Sequence, residues 1–295
     1  MTFLLSLLAL LMVGMFAPSA TAQDAPYIQT ENVVYGEVHG VGLLMDVFVP
    51  TGEKNGLGVV DVISGAWHSD RGKIRDHARA QTFDILCGKG YTVFAVRPGS
   101  VTKFSAGEML ANLNLGIRWA KDHSSDYGID PDRLGLMGAS AGGHLACLAA
   151  VTAEAEGTAD TRVKAVAVFF PPTDFLDFNG KAIDSRGDDR MGPLVRRLAF
   201  VDGLTDQTDA EVEQAITQIS PARLVTLDAP PFLLIHGDAD TVVPLQQSEL
   251  MANALNKAGV PAELIVKEGG GHPWLTMHEE VQVLADWFDK QLGAE

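Results

Sequence analysis

Apolar and polar positions along the chain fall into two alternating periods. Short runs rich in β-branched or aromatic residues, at 59–63, 91–96, 134–137, 163–170 and 232–235, have almost no polar face, which predicts strands buried on both sides. Between them lie longer segments with helical spacing, at 75–88, 108–123, 142–151, 245–257 and 279–292. Residues 262–267 predict a last strand. Residues 33–38 and 43–49, joined by His39-Gly40-Val41-Gly42, predict an antiparallel opening hairpin. A hairpin feeding about six parallel strands, with helices on both faces, makes an α/β protein with a mostly parallel sheet of about eight strands. It does not fit an eight-fold barrel.

One stretch breaks the alternation. Residues 177–214 are charged, rich in Gly and Asp and interrupted by Pro193, so they predict either an inserted cap over the site or a solvated excursion. The cap is favoured, because the stretch falls between a strand and the loop that carries a candidate acid.

The first residues carry a different pattern. An apolar run at 3–16 is followed by Pro18-Ser19-Ala20-Thr21-Ala22, an Ala-x-Ala arrangement ahead of Gln23. This predicts a signal peptide over residues 1–22, a mature domain over 23–295 and a secreted or periplasmic location. The rival is an uncleaved anchor, for which the run is short against the roughly 20 residues of a bilayer span. Membrane attachment after cleavage is not expected.

Composition changes this picture in two places. A formal net charge of -16 argues against nucleic acid as a partner, since phosphate binding needs a basic surface. Cys87 and Cys147 are the only cysteines and fall in helical patterns on opposite faces of the predicted sheet, so two buried, unpaired thiols are expected.

The candidate chemistry sits at strand ends. Gly138-Ala139-Ser140-Ala141-Gly142 follows a predicted strand and opens an apolar helix, the context that Gly-x-Ser-x-Gly requires. Small residues are needed there so that a sharp turn can lift Ser140 out of the sheet in a strained backbone conformation. His144 reads as a packed helix residue, too near Ser140 in sequence to swing over it.

A carboxylate on a loop leaving a strand can orient an imidazole and fix its tautomer. His236-Gly237-Asp238-Ala239-Asp240 offers two, and Asp240 is favoured over Asp238, which is expected to brace the turn. Gly269-Gly270-Gly271-His272 then puts a histidine on a glycine-rich loop after the last strand, completing the order Ser, Asp, His. Oxyanion donors are expected from the backbone of Gly65 and Ala66, after the strand at 59–63, with that of Ala141. Trp67 beside them is a candidate wall of the acyl pocket, with packing an equal alternative. No His-Glu-x-x-His, paired-Cys or calcium-loop motif is present, so neither metal nor cofactor is expected.

Several segments together carry a family likeness. Met45-Asp46-Val47-Phe48-Val49-Pro50, Tyr127-Gly128-Ile129-Asp130-Pro131, the glycine cluster through His144, the acid loop to Pro244, and Gly271-His272-Pro273-Trp274 resemble the α/β-hydrolase carboxylesterases near the hormone-sensitive-lipase group. The likeness is greatest to the bifunctional feruloyl and acetyl-xylan esterase branch. It implies short-chain acyl esters, free or on polysaccharide, as substrates. The chain departs from that pattern at Ile63-Ser64-Gly65-Ala66, where the branch carries His-Gly-Gly-Gly, and at Arg97-Pro98-Gly99-Ser100. Two other readings remain open at this stage: an exopeptidase resembling the catalytic domain of the prolyl oligopeptidase group, and a binding protein that keeps the fold without the chemistry. Oligomeric state is not legible.

Overall fold

Strands β1 (Tyr27–Val38) and β2 (Val41–Pro50) form the opening hairpin, turning at His39 and Gly40, both at positive φ. The computed structural model describes residues 25–155 and 161–293. The segment expected to direct export, residues 1–22, lies outside them. β1 starts six residues earlier than its apolar pattern predicts. Its first half lies mostly exposed along the sheet edge, where the polar run Gln29-Thr30-Glu31-Asn32 hides the strand.

The sheet continues with β3 (Gly58–Val62), β4 (Thr92–Arg97), β5 (Leu134–Ala139), β6 (Ala165–Phe169), β7 (Phe232–Gly237) and β8 (Ala262–Lys267). The order is β1-β2-β4-β3-β5-β6-β7-β8. β2 runs antiparallel to β4, and every later pair is parallel. This is the mostly parallel eight-stranded α/β-hydrolase plan. β3, β6 and β7 are buried at every residue, as strands covered on both faces must be.

Side chains on successive strand residues enter different layers, because the strand period is two. Val60 and Val62 join one core with α3 (Ala106–Asp122), α5 (Ala141–Ala155) and α8 (Gln246–Lys257). Val59 joins the other core, with α1 (Arg71–Arg79), α2 (Thr82–Gly88) and α9 (Met277–Gly293). Cys147 lies in the first core and Cys87 in the second, both buried and free.

The helix expected over 75–88 is two helices. Gln81 takes a left-handed φ of 58° between them. α1 buries only Ile74, whereas α2 buries Thr82, Phe83, Leu86 and Cys87, and the break lets α2 lie on the sheet without dragging the polar α1 down with it. A short α4 (Ser124–Tyr127) follows α3.

The stretch at 177–214 leaves the sheet after β6 and holds α6 (Gly192–Ala199) and the start of α7 (Asp209–Gln218). Val195, Leu198, Val212 and Ile216 are buried in the core shared with α3, so the insertion is anchored by apolar contacts. Among the described residues no helix is long and apolar enough to cross a membrane.

Candidate active site

The turn from β5 into α5 shows why its sequence must be small. Ser140 sits at φ 54°, a left-handed conformation costly for any residue with a Cβ. A Cβ on Gly138 would lie 2.5 Å from the Gly142 carbonyl carbon, and one on Gly142 would overlap the Val62 carbonyl oxygen of β3. The strained turn is held from two sides: the Ser140 amide donates to the Phe169 carbonyl at 2.9 Å, and the His144 amide donates to the Ser140 carbonyl at 2.9 Å.

His272 reaches this turn from the loop after β8. Its Nε2 lies 2.9 Å from Ser140 Oγ and its Nδ1 lies 2.6 Å from Asp240 Oδ2. A carboxylate only accepts, so Nδ1 carries the proton and Nε2 is left to accept from the serine hydroxyl. The other Asp240 oxygen accepts from the amides of Val242 and Val243 at 2.8 and 2.9 Å, which fixes the carboxylate plane. Burial would raise the Asp240 carboxyl, but hydrogen bonds from His236, His272 and the Val243 and Val242 amides outweigh it and hold the group well below the usual carboxylate range. It is therefore ionised beside the imidazole.

Asp238 does other work. Its Oδ1 accepts from the Gly269 amide at 2.7 Å, tying the acid loop to the histidine loop. The two loops also touch backbone to backbone, since a Cβ on Gly237 would overlap the Gly270 carbonyl, and the Ala239 amide donates to that same carbonyl at 3.0 Å. Two features of this corner are not evident from the residue pattern. His236 is fully buried, with Nε2 2.9 Å from the Val243 carbonyl and 3.4 Å from Asp240 Oδ2. Phe170, at φ 37°, packs its ring 4.3 Å from that of His272. The His-Gly-Asp string was a signal for the first; nothing local marked the second.

The candidate oxyanion segment is a tight turn. Gly65 and His68 exchange two backbone hydrogen bonds of 2.9 Å, and Ala66 and Trp67 between them have φ 47° and 56°, the pattern of a type I′ turn. Gly65 was expected to supply an oxyanion donor; its amide is already donated to the His68 carbonyl, which removes it from the set. Among the described residues no acceptor is found for the amides of Ala66 and Ala141. The Gly142 amide donates to the Ser64 carbonyl at 3.1 Å, joining the turn to the serine elbow. The Arg97-Pro98-Gly99-Ser100 departure holds the turn's far end: Ser69 Oγ donates to the Gly99 carbonyl at 2.7 Å and the Val101 amide to the Trp67 carbonyl at 2.8 Å.

Trp67 is 4% exposed, and the structure gives it packing, against Phe175 and His144. Its indole N–H donates to His144 Nδ1 at 3.0 Å. Among the described residues no group of three or more His, Cys, Asp or Glu is placed to hold a metal ion.

This arrangement can deliver a serine oxygen, freed of its proton by a histidine, to an electrophile. LipM of Mycobacterium tuberculosis, named as a probable carboxylic ester hydrolase, is 28% identical over 240 residues, covering 78% of this chain and 52% of LipM. The chain spans about half the length of the curated relatives it matches. Among solved structures, a truncated carbohydrate esterase from gut microbiota superposes with a TM-score of 0.79 at 24% identity, covering 92% of this chain and 99% of that one. Esterase 2 of Thermogutta terrifontis superposes with a TM-score of 0.67 at 24% identity, covering 89% of this chain and 92% of that one. These two likenesses show the fold. The BD-FAE family model matches residues 45–255, from β2 through the serine elbow and the acid loop to α8, and by that match over more than half its length the chain belongs to the BD-FAE family.

Proposed function

We propose that the protein is a serine carboxylic-ester hydrolase working through an acyl-enzyme. The observation that carries this reading is the unbroken chain from Asp240 Oδ2 through His272 to Ser140 Oγ, with contacts of 2.6 and 2.9 Å. Ser140 Oγ attacks the ester carbonyl carbon as its proton passes to His272 Nε2, and Asp240 stabilises the imidazolium that forms. The new oxyanion faces the amides of Ala66 and Ala141. Collapse breaks the bond to the alcohol oxygen, which takes the proton from His272. Water, deprotonated by the same nitrogen, then releases the acid and restores the serine hydroxyl.

The substrates proposed are short acyl esters of acetyl or feruloyl type, free or on a polysaccharide. Support comes from the family, from one structural neighbour that is a carbohydrate esterase and from the propionate and butyrate complexes of another. That second neighbour is also phosphonylated by sarin, and an activated serine of the kind proposed here would attack such an electrophile. An exported location follows from the pattern at 1–22, and the insertion with α6 and α7 is read as the cap beside the site.

The test is hydrolysis of p-nitrophenyl acetate, butyrate and longer esters, methyl ferulate and acetylated xylan by the full chain and by Ser140→Ala. The expected result is turnover of the shortest esters by the wild type, loss of it in a folded variant, and fluorophosphonate labelling that disappears with Ser140. Unlabelled, inactive wild-type protein would leave only a binding role. Cleavage of peptides without ester turnover would favour the exopeptidase reading.

A further inference from the structure

His144 takes no part in the proton path of the mechanism, yet it is fully buried beside it. Its position in the first turn of α5 gives it three attachments. The backbone amide holds the Ser140 carbonyl at 2.9 Å. Nδ1 accepts the Trp67 indole N–H at 3.0 Å, and because that nitrogen accepts, the ring proton sits on Nε2, which donates to the Ile219 carbonyl at 2.8 Å. Ile219 caps the end of α7, where the inserted segment returns to the body.

What Nδ1 holds is the strained part of the oxyanion turn. A bulky aromatic residue is rare at positive φ, and Trp67 follows Ala66, which is itself at positive φ without being glycine. The sequence offers no local relief, since neither central residue is Gly, Asn or Asp. Relief comes from Trp67, whose carbonyl is held by the Val101 amide and whose ring is clamped by His144 and Phe175. The Ala66 N–H lies in the Gly65–Ala66 peptide, one unit before the peptide that leads into Trp67, so fixing the indole constrains where that donor points.

We propose that His144 is a positioning residue that aims the Ala66 oxyanion donor by anchoring Trp67 through Nδ1. The inference rests on the esterase reading. Burial supports it by pushing the imidazole down to about 4 despite the opposing Ile219 carbonyl, so Nδ1 stays unprotonated and able to accept the indole N–H at neutral pH. A buried histidine is most often only a satisfied core residue, and the two ring nitrogens let the roles be separated. His144→Asn places an amide oxygen near the site of Nδ1 and keeps the Trp67 contact. His144→Gln reaches the site of Nε2 and keeps the Ile219 contact instead.

The experiment measures kcat and KM on p-nitrophenyl acetate for the wild type, His144→Asn, His144→Gln, Trp67→Phe and the His144→Gln/Trp67→Phe double variant, each well below its own melting temperature. His144→Gln and Trp67→Phe are expected to lose about 10- to 100-fold in kcat with KM within about threefold, as a misaimed donor would. The double variant should be no worse than the poorer single, and His144→Asn should recover to within about fivefold of wild type. Equal kcat in the Asn and Gln variants, or additive losses in the double, would overturn the proposal. If His144→Gln fails to fold, a wild-type kcat in Trp67→Phe would do the same. An inactive wild type would remove the esterase reading and this inference with it, whereas active wild type with unaffected variants would remove this inference alone.

Discussion

Two tight turns meet at the candidate site, joined by the Gly142 amide and the Ser64 carbonyl, and they handle backbone strain in opposite ways. The elbow at 138–142 carries one strained residue, Ser140, and meets its neighbours with glycines on either side. The turn at 65–68 carries two, Ala66 and Trp67, with no glycine at either place, and is held by partners elsewhere in the chain. Left-handed φ costs a non-glycine residue about 1–2 kcal/mol, so the second turn persists only while those partners stay. One turn writes its solution into five consecutive residues; the other borrows it from α5.

The largest effect is expected at the chemistry that both turns serve. Asp240→Asn touches neither turn, removes the carboxylate that fixes the His272 tautomer, and should cut kcat about 10⁴-fold with the melting temperature little changed, as steady-state kinetics and calorimetry would show. A loss under tenfold would mean that the turns, and not the proton path, carry the rate.

The next effect is on folding. Gly142→Ala drives a methyl into the Val62 carbonyl and should cost about 3 kcal/mol, read from denaturant midpoints. A neutral result would show that the elbow has slack and that its glycines are not what shapes it.

A smaller effect separates the borrowed support. Burial lowers His144 from 6.5 to about 4, so between those values the unfolded chain binds the proton and the folded chain does not. Stability is complete above 6.5 and falls as pH drops towards 4. His144→Asn cannot titrate, and its melting temperature should fall a few degrees less than that of the wild type over this window. Parallel curves would deny the histidine its buried neutral state.

The smallest effect is expected at Ala66→Gly. Relief of the strained φ offsets the added freedom of the unfolded chain, so stability should stay within about 1 kcal/mol, opposite in character to Gly142→Ala. A large loss would show that the Ala66 methyl packs and that the turn is not a strained one.

The same contrast explains what could be read from residues alone. Strands β3 to β7 were visible because burial on both faces leaves short apolar runs. Ser140, Asp240 and His272 were visible because each stands in a local string with its own turn chemistry. The commitment of the Gly65 amide was not, since it depends on where the His68 carbonyl lies in space. The break at Gln81 was hidden by a helical pattern that runs through it, and β1 by its exposed polar half. Trp67 offered two readings, pocket or packing, and only its indole partner, 77 residues away, chose between them.

The two buried cysteines make the protein report on its own opening. Burial raises both thiols, Cys87 to about 12, so neither is a thiolate in the folded chain at neutral pH. One lies on α2 and the other on α5, on opposite sides of the sheet. The rate at which an alkylating reagent reaches each one then clocks the exposure of that side separately, and unequal rates would reveal which layer lets go first.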